Sequence, residues 1–122
     1  MKAGNVYSAR CPTRHILDRV GDKWAVLILL LLEDGPARFN SLRRAIDGIS
    51  QKMLSQVLKS LERDGLVHRR VIPTVPVTVE YSITPLGQTL AKAVDPLRVW
   101  AERHLKDVTA AQRRYDARKG AM

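Results

Sequence analysis

The stretch that decides the fold reads SQKMLSQVLKSLERDG and runs from Ser50 to Gly65. Its leucines and valine recur at i, i+3, i+4 and i+7, which is the spacing of a helix that packs one face on a core. Polar residues repeat that spacing on the opposite side. The inner set is Leu54, Val57, Leu58 and Leu61, and the outer set is Lys52, Ser55, Gln56 and Lys59. Because Ser50 is a good N-cap and Gly65 suits a left-handed closing residue, the stretch predicts an amphipathic helix with defined ends.

A second short amphipathic segment, from Arg38 to Ile46, precedes this helix. The two are joined by Asp47-Gly48-Ile49-Ser50, a composition typical of a turn. Two helices joined by a tight turn, with a polar face on the second, form the arrangement that places a recognition helix in a DNA major groove. We therefore predict a helix-turn-helix over roughly Phe39 to Asp64.

After Gly65 the apolar period changes from that of a helix to that of a strand. Leu66–Ile72 and Val77–Ile83 are rich in β-branched residues and flank Pro73-Thr74-Val75-Pro76, so they predict two antiparallel strands. A hairpin directly after a recognition helix is the wing of a winged helix, and its tip would reach the minor groove or phosphates.

Helices are also predicted at both ends of the chain. A first helix spans about Pro12 to Val20, a second is capped by Asp22, and a last one begins at Thr84-Pro85 and keeps apolar spacing to Val108. We expect Pro96 to kink or split the last helix because proline removes an internal hydrogen bond. Beyond about Thr109 we expect a frayed helix or a basic tail.

The last helix carries more apolar residues than a small domain can cover. We expect it to pair with the partner subunit's copy and with the first helix; the alternative is that it folds back on its own domain. The predicted dimer-interface residues are Ile16, Leu90, Val94, Leu97 and Trp100. The predicted fold is mainly α with a small β-hairpin: one winged helix-turn-helix domain over residues 1–122, ordered over about 11–108, with N- and C-terminal dimerisation helices.

The charge of the chain favours a polyanionic partner. Lysine and arginine number 21 against 12 aspartate and glutamate residues, a net charge of +9. From Gly35 to Ile72 eight basic residues stand against three acidic ones, so a net +5 falls on the helix-turn-helix segment. A solvated basic surface is the alternative interpretation.

Several classes of protein are excluded by what the sequence lacks. The longest apolar run, Ala25 to Leu32, is too short to span a bilayer, and Met1–Arg10 holds no signal-like apolar stretch, so we expect a cytoplasmic protein without a membrane partner. A single cysteine, Cys11, rules out an internal disulfide. The sequence holds no Cys/His cluster of metal-ligand spacing and no Gly-rich phosphate loop, so we expect neither a metal nor another cofactor.

These motifs together resemble the HxlR-type transcriptional regulators, a bacterial branch of the MarR-like winged-helix proteins. The resemblance covers about Cys11 to Leu105, in order and without large gaps. Its signatures are Cys11-Pro12, Gly21-Asp22-Lys23-Trp24, Gly35-Pro36, Arg38-Phe39, Leu42, Ile49-Ser50-Gln51-Lys52-Met53-Leu54, Leu58, Leu61-Glu62, Asp64-Gly65-Leu66-Val67, Arg69-Arg70, Val79-Glu80-Tyr81-Ser82, Thr84, Leu86-Gly87 and Trp100.

The resemblance implies a homodimer whose two recognition helices enter successive major grooves of a pseudo-palindromic operator in double-stranded DNA. The base-facing residues would be Gln51, Lys52, Ser55, Gln56 and Lys59. The residues on phosphates or the minor groove would be Arg38, Arg43, Arg69 and Arg70.

Cys11 is the candidate for redox or effector sensing. A thiolate at a helix N-terminus near cations such as Arg10 and Arg14 is favoured, and the thiolate is the reactive form. Several HxlR-type proteins are thiol-based sensors with a cysteine at this position, so the resemblance implies a switch for oxidants or electrophiles. A cysteine packed quietly at the dimer interface is the alternative. With one thiol per chain, a disulfide would be intermolecular or formed with a small thiol.

Two further hypotheses come from individual residues. His15 lies four residues after Cys11, but no third orienting residue or oxyanion feature accompanies the pair, so we expect no enzyme and no catalytic residue. Trp24 and Trp100 are predicted to be core or interface anchors; the alternative is that a pocket between the dimer helices and the domain holds a small aromatic effector against them.

A second function uses the same basic face to dock an acidic protein partner. The outer face from Lys52 to Lys59 argues against this winged-helix interaction module, because a docking helix normally offers apolar anchors there.

Overall fold

Five helices and a three-stranded sheet make up residues 6–121, which are the residues that the computed structural model describes. The ends of the predicted domain, residues 1–5 and 122, lie outside this range. In chain order the elements are α1 (Pro12–Gly21), α2 (Lys23–Leu32), β1 (Ala37–Arg38), α3 (Phe39–Ala45), α4 (Gln51–Arg63), β2 (Val67–Ile72), β3 (Thr78–Ile83) and α5 (Pro85–Ala121). The winged helix-turn-helix fold predicted from the sequence is confirmed.

The ends of the helices follow the local sequence. The Asp22 carboxylate accepts hydrogen bonds from the backbone N–H groups of Trp24 and Ala25, at 2.9 and 3.4 Å, and so caps α2. The Ser50 hydroxyl caps α4 by accepting from the Met53 N–H at 3.0 Å. Gly65 has φ +77° and lets the chain leave α4, which confirms its predicted role.

The core lies between α2, the inner faces of α3 and α4, and the start of β2. Leu54, Val57, Leu58 and Leu61 are all buried, as predicted. Burying one side chain of this kind contributes roughly 1.5–3 kcal/mol, so the inner face alone fixes the orientation of α4. No helix within residues 6–121 is long and apolar enough to cross a membrane.

The sheet is antiparallel in the order β1-β3-β2. Tyr81 and Ile83 of β3 pack against the core, whereas Val77 lies before the strand and is exposed. The short strand β1 was not predicted, because two residues are too few to display a period of 2.

The last helix differs from expectation in two respects. Pro96 lies inside one continuous α5, so the predicted split is wrong, while the predicted kink stays a prediction. Proline removes only its own N–H, and Arg98 braces the same turn through bonds of 2.9 Å to the carboxylates of Asp95 and Glu102. These hydrogen bonds also raise the pKa of Arg98. The helix then continues to Ala121, where a frayed helix or a basic tail was expected, so the tail is wrong; alanine, glutamine and arginine favour helix.

The predicted interface residues divide into two groups. Val94 is only 2% exposed within the single chain, so it packs on its own domain and its assignment to the interface is wrong. Leu90 is also partly buried against the core. By contrast, Ile16, Leu97 and Trp100 are 62%, 59% and 55% exposed. The first part of α5 therefore folds back on the core beside α2, and most side chains of its later part are exposed.

Candidate nucleic-acid interface

The outer face of α4 is the main candidate surface. Its side chains reach solvent because the buried leucines hold the opposite face on the core. Lys52, Gln51, Gln56 and Lys59 are exposed and Ser55 is partly exposed. This face offers amide, hydroxyl and ammonium groups, which are the groups that hydrogen-bond to base edges.

The turn between α3 and α4 is fixed by its own packing. Ile46 and Ile49 are buried on either side of it, and Gly48 has φ +86°, a conformation that glycine adopts without strain. A Cβ on Gly48 would lie 3.9 Å from the Trp24 ring, and Trp24 itself packs on the core. Trp24 thus supports the turn, and its predicted role as a core anchor is confirmed.

Three charged residues form a row across the sheet. Arg38 of β1 and Arg70 of β2 both pair with Glu80 of β3, so the three side chains share one face of the sheet. Within residues 6–121 none of them takes part in an ion pair. Arg38 and Arg70, predicted separately, are therefore brought together with their charges available to a partner.

The neighbouring arginine points the other way. Arg69 pairs with Tyr81, whose side chain packs on the core, so Arg69 lies on the opposite face of the wing from Arg70. Both are exposed. Arg43 is exposed on α3. The predicted phosphate-contacting residues thus lie on β1, on both faces of the wing and on α3.

Cys11 lies at the N-cap of α1, as predicted, but only 3% of it is exposed. Its N–H donates to the Ser8 carbonyl at 3.1 Å, and its carbonyl accepts from the His15 N–H at 3.3 Å. The His15 ring Nε2 lies 3.0 Å from the Ala9 carbonyl oxygen, and Arg14 donates to the Tyr7 carbonyl at 3.2 Å. The residues before α1 are thus tied to its first turn, and the thiol itself is buried. Among the described residues, no cluster of His, Cys, Asp or Glu could hold a metal ion.

A cleft of about 690 Å³ separates α1 from the end of α4 and the start of α5. Apolar side chains line most of it, and an ion pair between Arg19 and Asp64 lies in its wall. The lining includes Ile16, Arg19, Asp64, Leu66, Leu86 and Leu90. No sequence signal marks this cleft, because its walls come from three segments that are distant in the chain.

Comparison with known proteins identifies the family. Residues 19–109 match the family model described as HxlR-like helix-turn-helix. The chain belongs to this family.

Individual members of the family are similar over most of their length. The HTH-type transcriptional regulator YtfH of Escherichia coli is 46% identical over 112 residues, which are 92% of this chain and 89% of that protein. The solved structure of the transcriptional regulator ytfH from Salmonella typhimurium has a TM-score of 0.84 at 45% identity, covering 90% of this chain and 98% of that one. The redox regulator HypR in its oxidized form has a TM-score of 0.71 at 43% identity, covering 76% and 96%.

Membership of the HxlR-like family makes the chain a helix-turn-helix transcriptional regulator that binds DNA. In the winged helix-turn-helix arrangement of this family, α4 is the recognition helix and the β2–β3 hairpin is the wing. The resemblance stated from the sequence motifs is confirmed.

Proposed function

We propose that this HxlR-like regulator acts in the cytoplasm as a homodimer that binds a pseudo-palindromic operator in double-stranded DNA. The observation that carries the proposal is the division of α4 into a fully buried apolar face and a solvent-exposed polar face. In each subunit α4 enters a major groove, and two copies related by a twofold axis read two half-sites.

Base reading and backbone contact fall to different residues in this proposal. Gln51, Lys52, Ser55, Gln56 and Lys59 face the base edges, while Arg38, Arg43, Arg69 and Arg70 contact phosphates or the minor groove. Because Arg69 and Arg70 point to opposite faces of the wing, they contact different parts of the backbone. The same basic surface docked on an acidic protein is the less favoured function, since the recognition face is polar.

The second subunit would cover the exposed stripe of α5. Leu86, Leu97, Val108 and Tyr115 are exposed and follow one another after about three, three and two helical turns, so they lie along one side of the helix. Trp100 is adjacent, with its ring stacked on His104 at 4.7 Å between centroids. Ile16 of α1 lies across the cleft from the start of this stripe. If this stripe pairs with its copy in the second subunit, α1 and α5 are the dimerisation helices of a single winged-helix domain.

We propose in addition that Cys11 senses oxidants or electrophiles. The redox regulator HypR is 43% identical to this chain, and Cys11 lies at the N-cap of a helix that borders the proposed dimer stripe. An oxidant such as diamide would accept two electrons and two protons from Cys11 and a second thiol, leaving a disulfide. The second thiol is that of the partner's copy or of a small thiol. An electrophile would alkylate the thiolate directly.

A DNA titration tests the proposed function. Fluorescence anisotropy compares the DNA upstream of the protein's own gene with a shuffled duplex of equal length, at several salt concentrations. We expect tighter binding to the upstream DNA and a linear fall of log affinity with log salt on both duplexes. Equal affinity for both duplexes, and for an enriched pool selected from random sequence, would remove sequence-specific regulation from consideration.

A further inference from the structure

The C-terminal end of α4 is held by both terminal helices. From α1, the Arg19 Nε lies 2.5 Å from the Asp64 Oδ2. From the start of α5, the Thr84 hydroxyl donates to the Gly65 carbonyl at 2.7 Å, and the Thr84 N–H donates to the Leu66 carbonyl at 3.1 Å. The two helices that we assign to the dimer thus converge on the exit of the recognition helix.

The Arg19–Asp64 pair is unusual among the ion pairs of this chain. Within residues 6–121 it is the one ion pair that joins two different elements, because both others lie inside α5. Asp64 is the C-cap of α4, where the helix dipole disfavours a carboxylate. The guanidinium of Arg19, in the last turn of α1, offsets this repulsion. Both side chains are partly buried, so the pair is less screened than a surface pair.

The contact from α5 is equally close. Gly87 lies against the backbone that follows α4, since a Cβ at this position would be 2.1 Å from the Leu66 carbonyl oxygen. At Gly87 the backbone of α5 packs directly on the Leu66 backbone, beside the Ile83 side chain. A displacement of α5 would therefore reach the end of α4 through backbone contact.

We infer that Arg19 and Asp64 are positioning residues that couple the dimer helices to the orientation of the recognition helix, meaning the angle at which α4 lies in the DNA groove. This inference rests on the proposed function. α4 spans about 20 Å at 1.5 Å per residue, so a small rotation at Asp64 moves the far end, with Gln51 and Lys52, along the groove. Operator recognition needs both recognition helices in register with successive grooves. Binding to random DNA tolerates a range of orientations of these helices.

The test uses the full chain with Arg19→Gln, Asp64→Asn, the double variant and the charge exchange Arg19→Asp with Asp64→Arg. Anisotropy gives the affinity for the selected operator and for the shuffled duplex. We expect each single variant to lower the ratio of the two affinities roughly three- to tenfold, the range for loss of one coupling contact. The double variant should equal either single variant, and the charge exchange should restore the ratio.

The two single variants change the net charge in opposite directions. Arg19→Gln makes the protein less positive and Asp64→Asn makes it more positive, so a shared fall in the ratio is not a charge effect. Arg98→Gln removes an ion pair within α5 and serves as the matched control, for which the ratio should stay constant. Thermal unfolding and sedimentation of every variant show whether the fold and the dimer persist.

Distinct outcomes overturn the inference. The inference is overturned if the ratio of operator affinity to shuffled-duplex affinity is unchanged in both single variants. It is also overturned if the effects of the two single variants add in the double variant. Both outcomes count even when the wild-type protein prefers its operator. If the affinity ratio falls equally in Arg98→Gln, the effect comes from a general loss of stability and the inference is wrong. Failure of the charge exchange to restore the affinity ratio would also contradict the inference. A wild-type protein without any operator preference would overturn the proposed function as well.

Discussion

Arg70 and Glu80 lie directly opposite each other on the two strands of the wing, and Arg38 flanks Glu80 from the other side. The carboxylate therefore lowers the positive potential of the surface that we assign to the DNA backbone. Glu80→Gln should tighten binding to every duplex by roughly two- to fivefold, the size of one exposed charge interaction. Anisotropy at low and high salt measures this effect, which should shrink at high salt.

The control for this variant is Asp116→Asn, which makes the same charge change at an exposed position near the end of α5. If both variants tighten binding equally, the effect comes from net charge and not from the wing. A change in sequence preference with Glu80→Gln would contradict the assignment of this row to phosphates.

Gln56 and Arg70 should have different effects when each is replaced by alanine. Gln56→Ala removes an amide that faces base edges, so we expect a loss of about 1–3 kcal/mol at one base-pair position with an unchanged salt dependence. Arg70→Ala should weaken binding to all duplexes and flatten the salt slope by about one. A panel of single-base operator variants separates the two. Identical profiles for both variants would contradict the division into base and backbone contacts.

Ser50→Ala should destabilise the fold by about 1 kcal/mol, because the hydroxyl that caps the Met53 N–H is lost. Urea unfolding followed by circular dichroism measures the free energy of unfolding. Ser41→Ala is the control, since Ser41 is an exposed residue in the first turn of α3 and is not the N-cap of that helix. Equal destabilisation by both variants would show that capping does not account for the loss.

The covered thiol of Cys11 should react slowly while the protein is folded. We expect iodoacetamide to alkylate native protein more slowly than urea-unfolded protein, because the buried thiol is reached only when the fold around it opens locally. Alkylation or diamide should then change operator affinity, and Cys11→Ser should abolish the response. Anisotropy before and after treatment gives the comparison; an equal response from Cys11→Ser would eliminate the sensor.

The exposed stripe of α5 should decide the oligomeric state. Leu97→Glu places a charge on the stripe, so we expect a shift from dimer to monomer and weaker operator binding. Sedimentation velocity across a concentration series measures the assembly. Arg103→Glu, an exposed change in the same helix but off the stripe, is the control. A wild-type protein that sediments as a monomer at all concentrations would refute the proposed dimer.

The parts of the fold that follow from local periodicity could be predicted. The two faces of α4, its caps at Ser50 and Gly65, and the strands of the wing each depend on neighbours within a few residues. The row formed by Arg38, Glu80 and Arg70 could not be read in this way, because it depends on a two-residue strand without a visible pattern.

Contacts between distant segments escape such patterns. Arg19 and Asp64 are 45 residues apart, and nothing in either local sequence indicates that they meet. Val94 illustrates the same limit, since its apolar spacing fits both the intramolecular face of α5 and the exposed stripe. Only the packing of α5 on α2 assigns it to the interior.

The close approach of Gly87 to Leu66 reverses an ordinary preference. In the interior of a helix alanine is favoured over glycine by about 1 kcal/mol. Gly87 lies in the first turn of α5, where its N–H donates to the Thr84 hydroxyl at 2.9 Å, and helix propensity ranks glycine below alanine there as well. At Gly87 any larger residue must displace the Leu66 backbone. The free energy that this displacement costs exceeds the free energy that a better helix propensity would contribute. Gly87 is therefore a position of α5 where close packing opposes the replacement that helix propensity alone would favour.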